Sequence, residues 1–214
     1  MPITTGSLSC RCFRVRGKPP ANYRETWPRQ IQRNAYRPPQ TDRGEMRSMG
    51  WINPRRILET KVDLDEVVVG ERLVLAIRID TISLNSRLYK ARLVEEIVRV
   101  CKETRRERLG REEKRVLEEK VQLEMAKTQT PATAFQEMAW NLKTGLTIFT
   151  ATGEKACLQF QELFTETFGL AIEPLLPYTR AVAVAKKLSL EGELEEAMPA
   201  IFTPKSEQAA AKGE

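Results

Sequence analysis

The residues of this chain that could do chemistry are mostly of two kinds, carboxylates and arginines. Asp63, Asp65 and Glu66 stand together ahead of a β-patterned run, and carboxylates so grouped can hold a magnesium ion for a metal-dependent nuclease. Clustered acids in that place are also what an ordinary solvated turn uses. Histidine is absent from all 214 residues. That removes the commonest general base, the Ser-His-Asp and Cys-His arrangements and the His-Glu-x-x-His metalloprotease site. Cys10, Cys12, Cys101 and Cys157 form no C-x-x-C pair and no zinc-type spacing, so they read as reduced, structural thiols. Neither the P-loop pattern nor the G-x-G-x-x-G fingerprint occurs. No cofactor and no metal is expected.

The arginines are the stronger signal. The net charge is +6 and the sequence pI about 9.2, which favours polyanionic partners such as nucleic acid or an anionic membrane surface. The charge is uneven: residues 1–60 hold twelve Arg plus Lys against four Asp plus Glu, so the remainder sums to −2. Eleven of those twelve are Arg, whose planar guanidinium suits bidentate contact with phosphates and base edges. The candidate DNA-binding residues are therefore Arg14, Arg16, Arg29, Arg33, Arg37, Arg43, Arg47, Arg55 and Arg56, expected to share one groove-facing basic surface. The cluster Arg105, Arg106 and Arg108 adds a second basic spot. The alternative is a solvated surface that happens to use Arg.

These side chains must be held by regular elements. Residues 7–16 alternate as a strand closed by Gly17, with Phe13 and Val15 on one face and Cys12, Arg14 and Arg16 on the other. Tyr23, Trp27 and Ile31 give residues 23–35 a helical spacing that Pro28 interrupts. Residues 37–54 are rich in Pro, Gly and polar side chains and read as loop, with Trp51 either a packing anchor or a base-stacking platform. Residues 66–69 and 72–79 predict a hairpin about Gly70 and Glu71.

Asn85 or Ser86 can cap a helix whose positions Leu88, Ala91, Val94, Ile97, Val98 and Cys101 follow one buried face. A second helix over 111–127 carries Val116, Leu117, Val121 and Leu123. Residues 87–127 hold thirteen basic and nine acidic residues, so the two together predict a long charged arm with i,i+4 ion pairs. After Pro131, residues 135–142 and 146–150 predict a second hairpin turning at 143–145. A helix over 154–168 follows, capped by Thr152 and stopped by Gly169, and then a closing strand within 170–177. Residues 181–185 read as a short strand, and 205–214 as a disordered tail. The expected fold class is α+β with antiparallel hairpins. Its parts are a strand-helix-hairpin segment (1–82), the charged arm (83–129), a hairpin-helix-strand segment (130–180) and a C-terminal segment (181–214).

Three stretches resemble the RdgC family of recombination-associated proteins. Met49-Gly50-Trp51-Ile52-Asn53-Pro54 is similar to the family's M-G-W-x-x-P segment. Residues 67–78, running from Val67 through Gly70-Glu71-Arg72 to Arg78, are similar to its glycine-turn hairpin, which leads into a long charged helical arm. Thr130-Pro131-Ala132-Thr133-Ala134-Phe135, followed by Trp140, Gly145 and Glu173-Pro174-Leu175, is similar to its P-x-A-F start, Trp-bearing strand and following helix and strand. The shared order and spacing span roughly residues 7–180.

The resemblance implies a non-enzymatic, nucleoid-associated protein that binds double-stranded DNA with little sequence preference. It also implies a ring-shaped homodimer with a positively charged hole, and restraint of the recombinase RecA. Typical members continue through a further C-terminal region that helps complete the ring, and this sequence departs from them there. Two other classes stay open: a protein-interaction module using the helical arm, and the magnesium-dependent nuclease. No run of 18 apolar residues and no signal-peptide h-region occurs, so a cytoplasmic protein that does not engage a membrane is expected.

Overall fold

The computed structural model describes residue 3 and residues 8–197. The chain is α+β, as expected. A compact unit ending at Pro174 is built on one antiparallel sheet of seven strands. The elements are β1 (Arg11–Val15), α1 (Tyr23–Arg33), a 3-10 turn (Thr41–Arg43), β2 (Arg47–Ile52), α2 (Leu64–Val67), β3 (Val68–Val69), β4 (Arg72–Thr81), α3 (Ser86–Thr104), α4 (Arg111–Thr128), β5 (Ala132–Asn141), β6 (Leu146–Phe149), α5 (Glu154–Phe168) and β7 (Ile172–Pro174). The strand order is β2-β4-β5-β6-β1-β7, with β3 also on β4. Segments 1–82 and 130–180 thus share one sheet: β4 and β5 pair over ten residues, from Arg72 opposite Asn141 to Thr81 opposite Ala132.

Period-2 patterning gives the sheet two unlike faces. Phe13, Val15, Leu73, Leu75, Ile77, Met138, Trp140 and Phe149 point to one face and are buried. Helices α1 and α5 cover that face with Trp27, Ile31, Phe160, Phe164 and Phe168. The core is strongly aromatic: Trp140 lies 5.2 Å from Trp27, 5.1 Å from Phe164 and 5.5 Å from Phe168 between ring centroids. Phe149 stacks on Phe160 at 4.2 Å. Pro28 is tolerated inside α1 because Trp27 and Ile31 anchor the helix on the sheet.

Several local expectations are corrected. Residues 47–52 are strand β2 rather than loop, because Trp51 and Met49 continue the core face opposite Ile77 and Ile79. Trp51 is the packing anchor, fully buried, its indole N–H donating to Thr167 Oγ1 at 2.8 Å. Gly50 has a specific reason: residues 34–36 pair in parallel with β2, and a Cβ on Gly50 would sit 2.4 Å from the Tyr36 nitrogen. The first hairpin is shorter than expected, since residues 64–67 form a helical turn and only Val68–Val69 pair with β4. Asn85, not Ser86, caps α3, accepting from the Arg87 and Leu88 amides.

Helix α3 buries no residue completely. Leu88, Val94 and Val98 of its expected buried face are 45%, 59% and 46% exposed. The less exposed stripe is Tyr89, Leu93, Glu96, Ile97, Val100 and Cys101, which keeps Ile97 and Cys101 of the expected face and turns away from its other four positions, and α3 packs against α4. Burial pushes the Tyr89 hydroxyl pKa up, and nearby Glu118 on α4 adds to the shift. Helix α4 buries Leu117, Val121, Met125 and Ala126 and also meets the 3-10 turn, where Lys127 binds Asp42 at 2.8 Å. Val116, expected with the apolar residues of α4, is 62% exposed. Gly153 rather than Thr152 precedes α5 as its cap, and Gly169 ends it at φ +66°.

A second unit begins at Leu175. It contains α6 (Pro177–Leu188) and α7 (Glu191–Glu196). Residues 181–185 are helical, not a strand: Pro177 at the helix start, the Leu176 amide donating to Thr179 Oγ1 at 3.0 Å and the run of alanines all favour helix. The expected tail at 205–214 lies outside the described residues.

Candidate nucleic-acid interface

All twelve candidate arginines are exposed; the nine expected to share one surface stand on different elements, Arg14 on the sheet and Arg29 and Arg33 on α1 among them, and Arg105, Arg106 and Arg108 form a separate spot. Arg14 stands on the sheet face opposite the core, beside Leu146 and Glu173 in the register. Arg16 follows it, and its guanidinium is 2.7 Å from Glu173. The hydrogen bond from Arg16 holds the Glu173 carboxyl below its ordinary range, outweighing desolvation. Arg55 and Arg56 follow β2. The Arg56 guanidinium is shared between Glu66 at 3.0 Å and Glu59 at 3.3 Å.

A longer series follows the β2 side of the sheet. Arg29 and Arg33 are exposed on α1, each two residues after a buried one, Trp27 and Ile31. Arg37 comes just past the bridge to β2, and its carbonyl accepts from Ser48 Oγ. Arg43 closes the 3-10 turn. Arg47 opens β2 and donates to Gln159 Oε1 of α5 at 2.7 Å, a contact that leaves its charge uncompensated. None of these five has a carboxylate partner among the described residues. Arg105, Arg106 and Arg108 sit in the turn between α3 and α4. Arg105 takes a left-handed conformation at φ 52°, and Arg106 is held 2.8 Å from Glu113. Glu113 also accepts the Gly110 amide at 2.9 Å, the largest cause of its lowered pKa.

One charged group that sequence reasoning passed over is the best-enclosed ion pair. Asp80, 2% exposed, accepts from Arg78 Nε at 3.0 Å and Nη2 at 2.8 Å and from the Tyr36 hydroxyl at 2.6 Å. The Arg78 guanidinium also lies 4.3 Å from the Tyr36 ring centre. Burial pushes the Asp80 carboxyl up, but hydrogen bonds from Arg78, Tyr36 and Thr133 together with the Arg78 charge outweigh it and hold it below the ordinary value. The i,i+2 spacing of Arg78 and Asp80 on one strand face was a usable signal; the arrival of Tyr36 from beyond α1 was not. This network braces the sheet and leaves Arg78 unable to serve a phosphate.

The carboxylates of the nuclease reading are each committed elsewhere. Asp63 accepts the Asp65 amide at 3.0 Å as the cap of α2, Asp65 faces Arg24 at 3.4 Å, and Glu66 accepts from Asn53 at 2.7 Å. No group of three or more His, Cys, Asp or Glu side chains converges among the described residues. All four cysteines are free thiols. No described helix is long and apolar enough to cross a membrane. No protein-family model matches the chain, and no curated protein is significantly similar to it.

Proposed function

We propose that this chain is a non-enzymatic protein that binds double-stranded DNA with little sequence preference, as its resemblance to the RdgC family implies. The observation that carries the reading is the state of its arginines. Nine of the twelve candidates, all except Arg16, Arg56 and Arg106, are exposed and have no ion-pair partner among the described residues. A guanidinium used for internal bracing is matched to a nearby acid, as Arg78 is to Asp80. Unmatched, exposed guanidinium groups are what phosphate neutralisation and counterion release require. The series Arg29, Arg33, Arg37, Arg43 and Arg47 is the principal contact surface in this reading, and Arg105 and Arg108 a secondary one. Contacts of this kind, made to phosphates, position the duplex without specifying its sequence.

The same resemblance extends the proposal to a nucleoid-associated homodimer that restrains RecA. The test is a fluorescence-anisotropy titration of an arbitrary duplex and its scrambled counterpart at low and moderate salt. Equal, salt-sensitive binding to both is expected. Absence of binding at low salt, or strong preference for one sequence, would overturn the reading. Magnesium-dependent loss of the duplex during the titration would favour the nuclease class instead.

A further inference from the structure

A cavity of about 490 Å³ opens on the sheet face that α1 and α5 leave uncovered. Its floor is aliphatic, made by Val69 of β3, Val74 of β4 and Ala139 of β5, with Val74 and Ala139 directly opposite in the register. Two arginines and three glutamates line it. Two of the glutamates are matched to cations and the third is hydrogen-bonded to a backbone amide. Glu66 holds Asn53 and Arg56, Glu71 lies 3.5 Å from Lys143, and Glu137, 8% exposed, accepts the Ile3 amide at 2.6 Å. Arg55 and Arg72 are exposed and have no carboxylate partner among the described residues.

We infer that this cavity binds a small aliphatic carboxylate, with its chain on Val69, Val74 and Ala139 and its head group toward Arg55 and Arg72. The volume lies within the range of small-molecule sites, and such sites combine an apolar body with a few polar groups that fix orientation. Planar guanidinium groups suit a planar carboxylate. Among the described residues no aromatic side chain lines the cavity, so these offer a nucleobase nothing to stack on. Among the same residues no glycine-rich turn or helix N-terminus of the kind that cradles phosphate lines it either. The inference does not rest on DNA binding: the cavity floor lies on the opposite side of the sheet from the α1 arginines, and although Arg55 is shared with the candidate phosphate contacts, the test contains no DNA, so either reading can fail alone.

The test is an amide NMR titration of the whole chain with sodium decanoate kept below micelle formation, with decyltrimethylammonium as the cation of equal chain length. Saturable shifts at Val69, Arg72, Val74 and Ala139 with decanoate, and none there with the cation, are expected. The double variant Arg55→Gln/Arg72→Gln, whose exposed side chains leave folding intact, should bind about tenfold more weakly, as removal of a charge-assisted hydrogen bond implies. Ala139→Leu, which fills the floor, should abolish the shifts at Val69 and Val74. Absence of saturable shifts, equal binding of the cation, or unchanged affinity in the double variant would overturn the proposal.

Discussion

Trp140 and Leu88 are both large apolar residues on regular elements, yet Trp140 is fully enclosed while Leu88 is 45% exposed. The contrast holds for the regions around them. The sheet and its covering helices bury three tryptophans and five phenylalanines in one continuous core. Helices α3 and α4 bury only four residues between them, all on α4, and are laced with ion pairs such as Arg115–Glu119 and Lys120–Glu124. The stability of the compact unit therefore resides in the sheet. The helical pair draws on capping, mutual packing and exposed ion pairs, which individually contribute little. Charge does not divide so sharply: unmatched arginines crowd the first segment, and in the helical pair Arg99, Arg106 and Arg115 find acids within it while Arg87, Arg92, Arg105, Arg108 and Arg111 have no ion-pair partner among the described residues.

Breaking the core should have the largest effect. Trp140→Ala removes a side chain that meets Trp27, Phe164 and Phe168 and should cost about 3–5 kcal/mol, read as a lowered denaturation midpoint or loss of the folded state. Next is Gly50→Ala, whose new Cβ meets the Ala35–Tyr36 backbone rather than a side chain that can move. A cost of about 1–3 kcal/mol is expected, by the same measurement; an unchanged midpoint would mean that the parallel pairing along β2 shifts freely.

The third effect is pH-dependent. Asp80 has a folded-state pKa held below the unfolded value, so its contribution is present above about pH 4 and is lost as pH falls through the lower folded value. Asp80→Asn should remove about 2 kcal/mol at neutral pH and flatten the acid limb of the stability profile. A variant with the wild-type acid limb would show that the Arg78 pair is not what titrates. The smallest effect belongs to the helical pair: Val94→Ala on exposed α3 should change stability by less than about 0.5 kcal/mol. A larger loss would show that this stripe is covered in solution.

The same contrast explains what was legible in the sequence. The apolar run in 72–79, the alternation in 135–142 and the caps at Asn85 and Gly169 announced their elements because local pattern and tertiary burial agree there. The loop reading of 47–52 failed because Gly50 and Pro54, ordinarily loop punctuation, are imposed here by the close approach of Tyr36 and by the end of β2. Residues 181–185 looked β-like from their alternating valines, while Pro177 and the alanines decided for helix. In α3 the period was right and the face only partly so: Ile97 and Cys101 lie on the less exposed side as expected, while Leu88, Ala91, Val94 and Val98 do not, and the position of α4 turns the covered stripe toward Tyr89, Leu93 and Val100. The arginines were legible as individual charges. Their separation onto the α1 side, the opposite sheet face and the α3–α4 turn depends on topology that charge counting does not contain.

The most direct test of the account is the salt dependence of duplex affinity in three charge-reversal variants, Arg29→Glu/Arg33→Glu/Arg43→Glu, Arg14→Glu/Arg55→Glu and Arg105→Glu/Arg108→Glu. The first should bind most weakly, with a log K versus log salt slope reduced by about 0.9 for each phosphate that is no longer neutralised. The third should show a smaller reduction. Three variants that keep the wild-type affinity and slope would contradict a phosphate-binding role for these arginines.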